Sequence, residues 1–172
     1  HELGADVTVA EVMDRILPVE DEEISKLAEK DFKKQGLNIV TGAKVENLKA
    51  GKSTVTAEIT DKSGKKEKKE FDRAILAVGI VGNVEDLGLE ALGVKVEKTH
   101  VKVDNFGRTG VKGLYAIGDL TGPPWLAHKA SHEGVVCVEG IAGADHAEPF
   151  DPWNVPGCTY AHPQVASVGL TE

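Results

Sequence analysis

The sequence predicts an α/β protein, and three observations carry that prediction. Residues 5–10, 20–34 and 37–40 read as strand, helix and strand with tight joints, half of a parallel α/β unit. Residues 54–71 alternate through a central turn, as an antiparallel hairpin does. Residues 114–117 form an apolar strand that leads, through a Gly-Pro-Pro loop, to a helix opening near Leu126.

The elements follow in order. Ala5-Asp6-Val7-Thr8-Val9-Ala10 alternates and then turns apolar between Gly4 and Glu11, as a strand does. The helix after Pro18 places Ile24, Leu27, Ala28 and Phe32 on one face. Acids fill its first turn, Lys33 and Lys34 its last, and Gly36 stops it, an order that suits the helix dipole. In the hairpin, Val55, Ala57 and Ile59 share one face, and Asp61-Lys62-Ser63-Gly64 makes the turn. Residues 74–78 (Ala-Ile-Leu-Ala-Val) read as a fully buried strand closed by Gly79. Residues 79–93 read as a glycine-rich loop and 94–103 as an extended polar-alternating segment. The helix from Leu126 carries Ala127, Ala130, Gly134, Cys137, Val138 and Ile141 on one side. Residues 145–156, with three prolines, read as a linker, and residues 159–169 as the start of a strand with no partner in the chain.

Composition excludes several classes. A formal net charge of -8 opposes binding by phosphate neutralisation, so no nucleic-acid partner is expected. The lysines of the hairpin are interleaved with Glu67 and Glu70 and lack aromatic neighbours, which marks a solvated sheet edge. No apolar run is long enough to span a bilayer, so no membrane partner is expected. Cys137 and Cys158 stand in unrelated contexts and read as reduced structural thiols. The chain opens on His1 without an initiator methionine or helix cap, and the expectation is an internal piece of a longer protein.

Two places carry chemistry. Glu11 stands at the end of the second strand of a dinucleotide-binding pattern, where an acid accepts hydrogen bonds from ribose hydroxyls. Taken alone, it reads first as a solvated strand-end glutamate. Arg15 nearby is the alternative, for a 2′-phosphate, but it lies past the strand end. The second place is Gly118-Asp119, at the end of the apolar strand. A carboxylate ending a buried strand needs a donor. Gly118 lets a ligand approach the backbone, and Asp119 accepts from polyol hydroxyls. The helix after Trp125 aims unpaired N–H groups at the same ligand. A flavin, with its ribityl chain and its electron-rich pyrimidine edge, matches both parts. His128 and His132 form an H-x3-H pair without an evident third ligand and read as packing histidines, so no metal is assigned.

The motifs FGRTGVKGLYAIGDL, WLAHKASHEG and YAHPQVASVGLTE resemble the flavoprotein disulfide reductases, and among these most closely the dihydrolipoamide dehydrogenases. LGADVTVAEVMDRILP, QGLNIVTGAKV and GNVEDLGLEALGV extend the resemblance along the whole chain. It implies a three-layer, Rossmann-like FAD/NAD-binding fold, incomplete here, with an antiparallel hairpin insertion and the first strand of an α+β dimerisation domain. The implied domains are residues 1–80 (NAD-binding, without its first strand and glycine turn), 81–149 (second half of the FAD-binding domain) and 150–172 (start of the interface domain).

The resemblance also implies roles. Glu11 would bind the adenosine ribose of NAD, Val45 the adenine through its backbone, and Gly79 would approach the nicotinamide half. Asp119 would hold the FAD ribityl chain, and the backbone of Trp125, Leu126, Ala127 and His128 would meet the pyrimidine edge. The family usually has methionine at Trp125, and many members have arginine at Ile80. The implied reaction oxidises dihydrolipoamide, carried on lipoyl domains of 2-oxo acid dehydrogenase complexes, with FAD and NAD+, in a homodimer of the cytoplasm or mitochondrial matrix. Its C-x4-C redox pair, both glycine turns and its His-Glu base are not in this sequence. No catalytic residue is therefore assigned, and the chain alone is expected to be inactive. Glutathione- or mercuric-type reductases, and a nonenzymatic dinucleotide-binding module, are the alternatives.

Overall fold

In the computed structural model, which describes residues 1–172, β1 (Thr8–Ala10) and β2 (Asn38–Val40) pair in parallel, with Val9 opposite Ile39. Helix α1 (Glu22–Lys34) connects them. Asp21 caps it by accepting from the Glu23 N–H at 2.9 Å, and Gly36 ends it at φ +100°. The buried stripe of α1 is Ser25 and Ala28, with Phe32 half-buried, whereas Ile24 and Leu27 are exposed. The expected apolar face is thus turned: the paired strands beneath α1 cover only a narrow stripe of it.

Ile16, Ala28, Ile39 and Val165 form the core here, flanked by Val9, Leu17, Phe32 and Leu37. Each large side chain so withdrawn from water contributes roughly 1.5–3 kcal/mol. Val165 belongs to β9 (Val165–Ser167), which pairs with β8 (Gly157–Thr159). The strand expected to lack a partner therefore has one, because residues 160–164 fold the chain back on itself.

The hairpin is present as β4 (Val55–Thr60) and β5 (Lys66–Phe71), antiparallel, with Ala57 and Ile59 buried. A strand not foreseen, β3 (Lys44–Ala50), completes a sheet of order β3-β4-β5. It is an edge strand, mostly exposed and interrupted by an irregularity between Glu46 and Lys49, where Asn47 takes φ +52°. Such a strand shows little apolar alternation. The lysines of the hairpin face acids: Lys66 meets Glu58 at 2.8 Å and Lys65 meets Glu67 at 2.5 Å. Hydrogen bonds from Lys66 and then Asn47 hold the Glu58 carboxyl below its usual range.

Residues 74–78 are not a buried strand. They pair with nothing, and Ile75 and Val78 are 92% and 93% exposed. An apolar run becomes a strand only through a neighbouring ladder, and the sheet of β1 and β2 does not extend to it.

The chain divides into two compact units: residues 1–77 with 158–167 and 171–172, and residues 78–157 with 168–170. In the second, residues 94–103 form not one extended segment but a small hairpin, β6 (Val96–Glu97) and β7 (His100–Val101). Lys98 and Thr99 turn it with φ +48° and +71°. Residues 114–117 also fall short of a strand: only Tyr115 bridges, to Arg108, and Ile117 is exposed. Helix α2 (Ala127–Ala142) begins where expected and ends at Gly143 in the left-handed region. Its inward stripe is Lys129 and Cys137, with Glu133 half-buried, while Ala127, Val138 and Ile141 are exposed. The expected apolar face is again corrected, here because a buried ion pair occupies part of the inner stripe. No helix is long and apolar enough to cross a membrane.

Candidate functional site

The end of β1 places Glu11. Its N–H donates to the Val40 carbonyl at 2.9 Å, and its carbonyl accepts from the Ala43 N–H at 2.8 Å, so the ladder continues one step past both strands. One carboxylate oxygen accepts from the Met13 N–H at 2.8 Å, which curls residues 11–13 around the side chain and leaves the second oxygen free. Gly42 closes the opposite loop, its N–H on the Met13 carbonyl at 2.7 Å. The fold thereby brings the start of β3, and exposed Val45 within it, beside the Glu11 strand end. Arg15 is directed elsewhere: its Nη2 donates to the Pro18 carbonyl at 3.3 Å, and its Nε is buried without a partner. Gly79 falls in the other unit, at φ +137° with open space where a Cβ would stand. That conformation suits glycine.

The turn after Ile117 places Asp119. Residues Gly118–Thr121 make a single 3-10 turn, with Gly118 buried and at φ +76°. A Cβ on Gly118 would lie 3.2 Å from that of Ala130, so α2 packs directly on this backbone. Asp119 itself is exposed, and no protein hydrogen bond or ion pair engages its carboxylate. This corrects the premise of a carboxylate ending a buried strand: solvent, not a buried donor, satisfies Asp119 here. It stands out as an unshared acceptor on a turn packed against α2.

Trp125 through His128 pass from that turn into α2. Leu126 is the N-cap and gives no side-chain cap, so the first N–H groups of the helix remain available. The side chains of the segment are engaged elsewhere. The Trp125 indole N–H donates to His100 Nε2 at 3.2 Å, and His128 Nε2 meets the Pro156 carbonyl at 2.7 Å. His128 and His132 are both exposed, not packed as expected. Cys137 is buried, Cys158 half-buried, and both are free thiols.

Sequence reasoning missed Lys129, which is 3% exposed. Its Nζ lies 2.9 Å from Glu133 Oε1 and donates to the carbonyls of Gly118 and Gly122 at 3.2 and 3.0 Å. The other Glu133 oxygen accepts the Gly118 N–H at 2.6 Å. The available signal was positional: Lys129, Glu133 and Cys137 recur at four-residue spacing on one helix face. A cleft of about 710 Å³ in the first unit is lined by Leu3, Val9, Phe32 and Leu37 among others, and holds none of the residues named on chemical grounds. The strand end and the turn, not this apolar cleft, carry the polar groups a cofactor needs.

Comparison with known proteins agrees along the whole chain. The pyridine nucleotide-disulphide oxidoreductase family profile matches residues 1–134. A dihydrolipoyl dehydrogenase of Rhizobium etli is 56% identical over 170 residues, covering 99% of this chain and 35% of the relative. One of Zymomonas mobilis is 52% identical over 171 residues, covering 99% of this chain and 37% of the relative. Among solved structures, LpdA of Mycobacterium tuberculosis superposes with a TM-score of 0.84 at 29% identity, across 98% of this chain and 36% of LpdA. The chain thus spans about a third of the length of the curated relatives it matches.

Proposed function

Because this chain belongs to the pyridine nucleotide-disulphide oxidoreductase family, we propose that it is a central portion of a dihydrolipoyl dehydrogenase using FAD and NAD+. In this reading residues 1–80 are the NAD-binding part, 81–149 the second half of the FAD-binding part, and 150–172 the start of the interface domain of a cytoplasmic homodimer. The antiparallel sheet would be an insertion in the first of these. The reaction would oxidise dihydrolipoamide presented by the lipoyl domains of 2-oxo acid dehydrogenase complexes.

The observation that carries the reading is the exposed, unengaged Asp119 carboxylate on a turn seated against α2. Its environment fits a flavin through a charged acceptor for ribityl hydroxyls and an uncapped helix start, whereas Gly118 is filled on its Cβ side by Ala130 of α2 and serves packing instead of ligand approach. Bound FAD supplies the two-electron chemistry that links a dithiol to NAD+. This chain's residues hold and orient. Asp119 accepts from the ribityl chain, and the backbone of Trp125, Leu126, Ala127 and His128 faces the pyrimidine edge. Glu11, with one oxygen free, accepts from the adenosine ribose. Val45 meets the adenine through its backbone, and Gly79 allows the nicotinamide half to come close. No side chain of this chain is assigned a catalytic step.

The test is steady-state turnover of the complete protein with dihydrolipoamide. Glu11 accepts from a 2′-hydroxyl and repels a 2′-phosphate, so NAD+ is expected to far exceed NADP+ in kcat/KM. Equal efficiency with NADP+ would overturn the Glu11 assignment. Turnover of glutathione disulfide in place of the lipoamide couple would overturn the substrate.

A further inference from the structure

The Lys129–Glu133 pair has no surface role: both side chains are largely buried, 3% and 13% exposed. An i,i+4 pair that merely supported a helix would sit in water and bond only to itself. Here every remaining bond of the pair goes to one turn. The three N–H groups of the Lys129 ammonium have the Gly118 carbonyl at 3.2 Å, the Gly122 carbonyl at 3.0 Å and Glu133 Oε1 at 2.9 Å as acceptors. Thr121 Oγ1 stands near at 3.3 Å and itself donates to the Gly118 carbonyl at 2.8 Å. Glu133 Oε2 takes the Gly118 N–H at 2.6 Å. Gly118 is therefore gripped by its N–H and by its carbonyl, and Gly122 by its carbonyl. Asp119 lies between the two grips in sequence, and its side chain is exposed to solvent.

We propose that the buried Lys129–Glu133 pair is a positioning device that fixes the Gly118–Gly122 backbone so that Asp119 is held in the orientation that receives the ribityl hydroxyls of FAD. This rests on the reading of Asp119 given above. Burying two charges is costly and often stabilises a fold no better than apolar residues of similar size. What such residues cannot replace is the set of directed bonds that fixes the turn. An acceptor held in place before binding does not have to be ordered at the moment of binding, and affinity rises accordingly.

The experiment uses the complete protein stripped of flavin, titrated with FAD and followed by flavin fluorescence and visible absorption. The variants are Asp119→Ala, the charge-free K129M/E133L, and the three substitutions combined. K129M/E133L is expected to keep the parent far-UV circular dichroism yet bind FAD tenfold or more weakly, with a visible band nearer that of free flavin. Asp119→Ala is expected to weaken binding by a similar factor. Combining the three is expected to add less than a further twofold, since the pair acts through Asp119. Should K129M/E133L not fold, Glu133→Gln serves in the same cycle, because it keeps an acceptor for Gly118 while loosening the hold on Lys129.

A folded pair variant that binds FAD as tightly as the parent overturns the inference. Effects that multiply in full in the combined variant overturn it as well. Tight binding by Asp119→Ala overturns the ribityl reading and this inference together. Weak binding by Asp119→Ala beside tight binding by the pair variant overturns this inference alone.

Discussion

The Glu11 strand end and the Asp119 turn each present a carboxylate, but they are built by different forces. Glu11 is placed by main chain: the ladder of β1 and β2, continued by the Val40 and Ala43 contacts, fixes its Cα whatever side chain it bears. Asp119 is placed by side chains, through Lys129 and Glu133 reaching from α2 to the peptide groups on both sides of it. A site set by a backbone ladder tolerates substitution nearby. One set by a buried ion pair fails when either partner is lost.

The largest expected effect breaks that contrast open. Lys129→Ala, or Glu133→Ala, strands the opposite charge in a buried place and should cost the complete protein about 3–5 kcal/mol of stability. Chemical denaturation reads it as a lowered midpoint with an unchanged slope. Glu11→Ala removes one acceptor from an otherwise main-chain structure and should cost only about 0.5–1.5 kcal/mol. Equal losses at the two places would erase the distinction.

A smaller effect sharpens it, since the Glu11 region has a buried polar side chain of its own. Ser25 is wholly buried, and its hydroxyl donates to the Leu17 carbonyl at 2.9 Å, tying the segment after Glu11 to α1. Ser25→Ala removes that bond but leaves the Leu17 carbonyl its Glu20 N–H partner at 3.0 Å, and should cost about 0.5–1.5 kcal/mol by the same denaturation measurement. NAD+ affinity should stay near that of the parent, because the ladder, not Ser25, places Glu11. A large loss of NAD+ affinity would show that Glu11 is also placed by side chains.

The same contrast explains what was legible in the sequence. Strand, helix and strand around α1 announce themselves by periodicity, acids in the first turn, lysines in the last and a Gly36 stop, all local signals. The hairpin of β4 and β5 is equally plain, because half of each strand faces in. Edge strand β3 escaped notice because exposure on both faces erases alternation. Residues 74–78 mislead for the opposite reason: their composition suits a buried strand, but strand and burial both depend on a neighbouring ladder. Gly118 and Asp119 were visible as a glycine and an acid after an apolar run. The clamp that orients them was not, because lysine reads as a solvent residue and burial is a property of the fold. The same limit applies to the faces of α1 and α2, where residues other than the apolar ones, Ser25 and Lys129, turn inward.

In the proposed reading, the chain holds two carboxylates with separate tasks, Asp119 for the flavin and Glu11 for the nicotinamide nucleotide. The most direct measurement is the FAD dissociation constant of the complete protein bearing Asp119→Ala, set beside that bearing Glu11→Ala. Loss of a charged acceptor costs roughly 1.5–3 kcal/mol. Asp119→Ala is therefore expected to weaken FAD binding by at least tenfold, while Glu11→Ala leaves it at the parent value. FAD affinity that is unchanged in Asp119→Ala, or lowered to the same degree in both, would contradict this division of tasks.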